Sequence, residues 1–148
     1  MPEHQILQRH DRPRIALRWL AASLFIAAGA NHFRSPGPYR RIVPPGFPNP
    51  ALLVALSGVA EIAGGAGLLV PRLRRAARWG LIALLVAVFP ANVYMAVRPE
   101  RFADWHLPRW TLWARLPLQV ALAAWVWFAA RDRMVNGGGI NPDYSVGQ

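Results

Sequence analysis

The chain has 148 residues, 54% of them hydrophobic and 16% charged, with 17 basic against 7 acidic side chains and no cysteine. A soluble domain of this size carries about 25% charged and about 45–50% apolar residues, so the apolar surplus points to a bilayer rather than to one small core. The missing thiols exclude disulfide scaffolds, thiolate zinc sites, iron–sulfur clusters and CxxC redox relays.

Four apolar runs approach the length of about 20 residues that crosses a hydrocarbon layer of about 30 Å: 15–31, 51–70, 76–97 and 110–130. They predict an all-α fold, an integral membrane four-helix transmembrane bundle forming one domain over 1–134. The first run is interrupted by Arg18, whose long side chain can snorkel to the headgroups. An alternative makes this run a signal peptide, with Arg12, Arg14 and Arg18 as the basic region and Ala28, Gly29 and Ala30 as the cleavage site; three spans then remain. The loop 32–50 holds six prolines, which excludes a regular helix and predicts an extended cap anchored by Tyr39, Ile42, Val43 and Phe47. The second run has Glu61 near its centre and stops at Pro71. Pro90 and Asn92 interrupt the third run, and the loop 98–109 is expected to hold a short interfacial helix around 102–105. The fourth run carries Arg115, Pro117 and Gln119 in its first half. Beyond it, 135–148 reads as a disordered cytoplasmic tail opening on Gly137, Gly138 and Gly139.

All 17 basic residues are arginines. Nearly all of them bracket the apolar runs, as the ends of membrane spans do, so the net charge of +10 does not indicate nucleic acid. Orientation follows from their distribution, with 10 on the side of the termini and 7 on the other. The strongest signal is Arg72, Arg74, Arg75 and Arg78 in one short turn, which predicts both termini in the cytoplasm. Trp19 and Trp79 then fall at the cytoplasmic ends, Trp105, Trp110 and Trp113 fall near the outer entrance of the last span, and Trp125 and Trp127 lie deeper.

A charged group at bilayer depth costs about 2.5–3.5 kcal/mol on insertion scales, so intramembrane ionisable residues are functional candidates by default. Glu61 lies about 15 Å into its span at 1.5 Å per residue, beside Ser57, Gly58, Gly64 and Gly65, a small-residue face on which a second helix can approach. Asn92, Arg115, Gln119, Asn31 and His32 all fall in the outer half under the predicted topology. Pro90 frees the carbonyl of Val86, and a kink there opens space beside Asn92. The candidate ligand pocket is therefore Glu61, His32, Asn92, Arg115 and Gln119. Each also has an ordinary structural reading: Glu61 as a protonated interhelical donor, Asn92 and Gln119 as interhelical glue, Arg115 as a snorkelling cation, His32 as an interfacial helix end. His4, His10 and His106 stand outside any motif. No two histidines share a span for haem ligation, one carboxylate with one histidine is too few for a metal, and phosphate loops and nucleophile elbows are absent. The sequence leaves catalytic residues unassigned, and no metal site is expected.

Five motifs stand in order between 20 and 125: Gly29-Ala30-Asn31-His32-Phe33; the proline loop with Pro44-Pro45 and Pro48; Ser57-Gly58 with Glu61; Phe89-Pro90-Ala91-Asn92; and Arg115-Leu116-Pro117-Leu118-Gln119. Together they resemble the DoxX-like family of small four-helix integral membrane proteins. The resemblance implies a bacterial inner (plasma) membrane location and association with quinone-linked oxidoreductase complexes. No residue here carries electrons through a cofactor bond, so the expected role is a non-autonomous subunit that binds a quinone or anchors a redox partner subunit. A quinone wants an apolar cleft with one or two hydrogen-bond donors, which His32, Asn92, Arg115 or Gln119 can supply. The alternatives are an assembly or scaffold protein without catalysis, and a small-solute transporter, which with four helices needs a homo-oligomer.

Overall fold

The computed structural model describes residues 3–131, with side chains from residue 13 onward; the expected tail at 135–148 lies outside the described residues. Every regular element among them is helical: α1 (Glu3–Arg34), α2 (Pro36–Ile42), α3 (Pro50–Leu69), α4 (Arg74–Val97), a 3-10 segment (Pro99–Trp105) and α5 (Arg109–Ala129). α1 packs on α3, α3 on α4, α4 on α5, and α5 again on α1. The contacts of the long helices thus close a circuit, with α2 and the 3-10 segment at one end and the α3–α4 turn at the other.

α3, α4 and α5 are each long and apolar enough to cross a membrane, and only 22–28% of their most apolar stretches is buried inside the molecule. The remainder presents large apolar side chains outward, among them Leu52, Leu56, Val59, Val86, Leu118 and Val120. Water penalises such a surface at about 25 cal/mol per Å², whereas lipid does not. The first expected span, 15–31, lies within α1, which is not among the helices that meet this measure. Arg18 on one side and Asn31 and His32 on the other shorten its unbroken apolar stretch to 19–30.

The loop 32–50 departs from the expected extended cap. α1 continues through His32 to Arg34, and after Ser35 the chain forms α2. Prolines permit this because Pro36 and Pro38 occupy the first turn of α2, where backbone N–H groups have no intrahelical acceptor to lose. Only 43–49 remains irregular. Pro50 opens α3 in the same first-turn role, and the Asn49 side chain caps that helix by accepting from the Leu52 N–H at 3.1 Å. The short helix expected around 102–105 is found as the longer 3-10 segment.

Two apolar clusters hold the ends. Toward the α3–α4 turn, Ala21, Ala22 and Phe25 of α1 meet Leu68, Leu81 and Val126. At the other end, Met95, Phe102 and Leu112 pack with Ile42, Tyr94 and Trp105. Between these levels the inward positions turn polar. Val54, Glu61 and Leu68 on α3, and Leu112, Gln119 and Val126 on α5, repeat at intervals of seven, the spacing that keeps one stripe of a helix facing its neighbours. The middle member of each stripe is the polar one.

Candidate functional site

The α1–α3 contact is backbone to backbone. A Cβ placed on Gly29 would stand 2.6 Å from the Gly58 carbonyl oxygen, and one on Gly65 2.8 Å from that of Ala22, so this face admits no side chain at those points. The small-residue face of the sequence divides: Gly58 and Gly65 meet α1, while Gly64 receives Leu81 of α4.

Close approach sets His32 of α1 over the first turns of α3. His32 is 8% exposed. Its Nδ1 lies 3.2 Å from the Val54 carbonyl oxygen and 3.1 Å from Ser57 Oγ, and the Ser57 hydroxyl donates to Val54 O at 3.0 Å. With acceptors on both sides, the ring proton is assigned to Nδ1. Nε2 then presents a lone pair toward Glu61 Oε2, 3.9 Å away. Oε2 is buried and has no hydrogen-bond partner, in a side chain 15% exposed. Two acceptors thus face each other across a gap, an arrangement that holds a proton or takes a donor O–H between them. Tyr39 of α2 packs edge-on against the imidazole, ring centroids 3.9 Å apart, and its hydroxyl accepts from Asn31 Nδ2 at 2.9 Å.

The other three candidates form a separate network on α4 and α5. Asn92 Nδ2 donates to Gln119 Oε1 at 2.8 Å, Arg115 Nε donates to Asn92 Oδ1 at 3.1 Å, and Gln119 Nε2 donates to the Leu85 carbonyl. Gln119 is 6% exposed, whereas Arg115 is on the surface. Leu85 O lies one residue before the carbonyl that Pro90 deprives of its helical partner. No hydrogen bond or ion pair joins this network to His32 or Glu61 among the described residues. The five residues therefore make two sites, a dyad with an unmet oxygen and a network that satisfies itself. Ser57, Tyr39 and the Val54 carbonyl complete the dyad. In the sequence Ser57 stood out for its size and its place in the Ser57-Gly58 motif, and Tyr39 as an apolar anchor; neither spacing shows a shared proton.

A staple closes the α2 end. Arg41 on α2 grips Asp104 of the 3-10 segment with two hydrogen bonds, 2.7 and 2.9 Å, and donates to the Arg101 carbonyl at 2.8 Å. Its guanidinium also lies 5.4 Å from the Trp105 ring and 5.9 Å from that of Phe102. The hydrogen bond from Arg41 holds the Asp104 carboxyl below its ordinary range and raises the guanidinium in turn. A shallow cavity of about 260 Å³ lies beside this segment, lined by Pro99, Glu100, Phe102, Leu107, Arg109 and Leu112; it contains none of the five candidates.

A family model described as a domain of unknown function, DUF8561, matches residues 20–130. The chain belongs to the DUF8561 family. No curated protein and no solved structure matches it. The DUF8561 match takes in both polar sites, α2, the 3-10 segment and the two apolar clusters, so the family region is the helical body itself. Among the described residues of this DUF8561 protein, no group of three or more His, Asp or Glu side chains stands together as a metal site.

Proposed function

We propose that this protein is a multi-pass protein of a bacterial inner membrane, a four-helix transmembrane bundle with cytoplasmic termini, and a non-autonomous subunit of a quinone-linked redox complex. The observation that carries the binding role is the His32–Glu61 pair: a buried oxygen without a partner, facing a nitrogen of an imidazole on which the Tyr39 ring packs. A buried polar atom left unpaired costs about 1–3 kcal/mol, which a ligand supplying a hydroxyl or a protonated carbonyl oxygen recovers. Support for the fourth span comes from α1, which packs on α3 and α5 while Ile15, Leu17, Trp19, Leu20 and Leu24 face outward. The arginine distribution supports the orientation, and the resemblance to the DoxX-like family supports the redox association.

A quinone supplies two ring carbonyls and exchanges two electrons with two protons. The residues fit it at one oxygen in its reduced, hydroxyl-bearing form, the quinol: that O–H donates to Glu61 Oε2 or His32 Nε2, Ser57 and Val54 fix the imidazole tautomer, and the Tyr39 ring packs on the imidazole. Native mass spectrometry of the protein extracted gently from its own membrane tests this. We expect a retained quinone mass and a co-purifying partner, with the quinone lost from Glu61→Gln and His32→Ala while both variants remain helical. Equal retention by wild type and variants, or a bare chain, overturns it.

A second reading, an assembly or scaffold protein, is favoured by the Asn92–Gln119–Arg115 network, whose groups bond to one another and to Leu85. Under it the polar residues lock the helices and the dyad binds nothing.

A further inference from the structure

We infer that the end of the molecule opposite α2 carries a binding site for the headgroup of an anionic phospholipid. The two ends differ in the carboxylates set beside their arginines. At the α2 end Arg41 is matched by Asp104, and Arg98 lies 3.9 Å from Glu100. At the other end Arg72, Arg75 and Arg78 lie in or just after the α3–α4 turn, Arg131 follows the end of α5, and Arg14 is one turn of α1 before Arg18, which bonds to the Ala129 carbonyl; no carboxylate among the described side chains lies at this end. Arg14, Arg72, Arg75 and Arg131 are exposed and have no hydrogen-bond or ion-pair partner among the described residues.

One arginine of the group is already built in. The Arg78 guanidinium stacks 4.6 Å from the Trp127 ring and 5.9 Å from that of Trp79, and the two indoles meet edge to face at 5.3 Å. Arg78 Nε is buried without a hydrogen-bond partner. Beside this sandwich, Val70, Leu73 and Trp79 expose about half of their surface. Exposed guanidinium groups thus stand next to an outward apolar strip and an indole pair, on a molecule whose helices suit a bilayer.

A phosphodiester bearing acyl chains matches both halves of this surface. Guanidinium groups take its oxygens with charge-assisted, bidentate geometry, while Val70, Leu73 and the Trp79 ring meet the chains. A free phosphate uses only the first half. The inference rests on the membrane location but not on quinone binding.

The test uses the full chain in micelles containing equal amounts of phosphatidylglycerol and phosphatidylcholine, with native mass spectrometry counting the lipids that remain. We expect wild type to retain phosphatidylglycerol preferentially. The Arg72→Gln, Arg75→Gln double variant should lose about 25-fold of that preference, about fivefold for each arginine near a charged surface. The Arg72→Lys, Arg75→Lys variant should keep most of it, which separates loss of charge from loss of fold. Equal retention of the two lipids by wild type overturns the headgroup site, as does an undiminished preference in the glutamine variant. Displacement of the lipid by millimolar inorganic phosphate overturns it in favour of a free-anion site, and retention of neither lipid overturns the membrane location as well.

Discussion

His32 shows how one hydrogen bond can decide what a neighbouring residue does. The Val54 carbonyl and Ser57 hydroxyl claim its Nδ1 proton, so whatever lies at Nε2 must bring a proton, and Glu61 lies there. Ser57→Ala removes one of the two acceptors without touching Glu61. We expect it to weaken retention of any bound O–H ligand less than Glu61→Gln does, while leaving the helical signal intact. Gln119 is the contrasting case, because its amide already has partners on both sides. Gln119→Ala strands the Asn92 amide and opens a void, and should lower resistance to denaturant in micelles by about 1–2 kcal/mol; unchanged unfolding midpoints would sink this account. Sequence named all five polar residues but assigned them to one pocket. Depth along a helix is readable from residue counts, but the azimuth that sends Glu61 to α1 and joins Gln119 to Asn92 depends on packing that counts do not contain.

Helices α3, α4 and α5 follow their apolar runs closely, because a run of about 20 apolar residues leaves the backbone little choice but to bond within itself. α2 was not legible in the same way. Six prolines in a loop suggest extended chain, yet their effect depends on register, and three of them, Pro36, Pro38 and Pro50, fall in helical first turns where they do no harm. Gly29 and Gly58 carry the closest element-to-element approach in the molecule's candidate site. Gly29→Ala places a methyl against the Gly58 carbonyl and the Ile62 side chain, so α1 must move away from α3. A cysteine pair engineered across α1 and α3 should then crosslink more slowly than in the parent protein, and His32 should lose its contact with Ser57. Gly37, with open space around its Cβ position, is the matched control: alanine there should change neither readout.

At the scale of the whole molecule, the two ends are held by different physics. The arginine end packs through its apolar cluster. The α2 end adds an exposed ion pair that ties α2 to the 3-10 segment across 63 residues of chain. Such a tie draws its strength from both partners being charged and is screened by salt. Arg41 keeps Asp104 ionised below its ordinary range, so the folded carboxyl has a lower pKa than the unfolded one. The sign follows: the contribution is fully present above the ordinary aspartate value of about 3.9 and is lost as pH falls from there through the lowered folded value. Hydrogen exchange in lipid nanodiscs reads this element by element. Protection of α2 and of 99–105 should hold from neutral pH to about pH 4, then drop, while the interior of α3 and α5 keeps its protection. Asp104→Asn should show reduced α2 protection at neutral pH and no further acid-dependent fall. A parallel acid response in that variant would mean that the drop arises elsewhere and that Arg41–Asp104 does not hold α2, with Tyr39 against His32, in place.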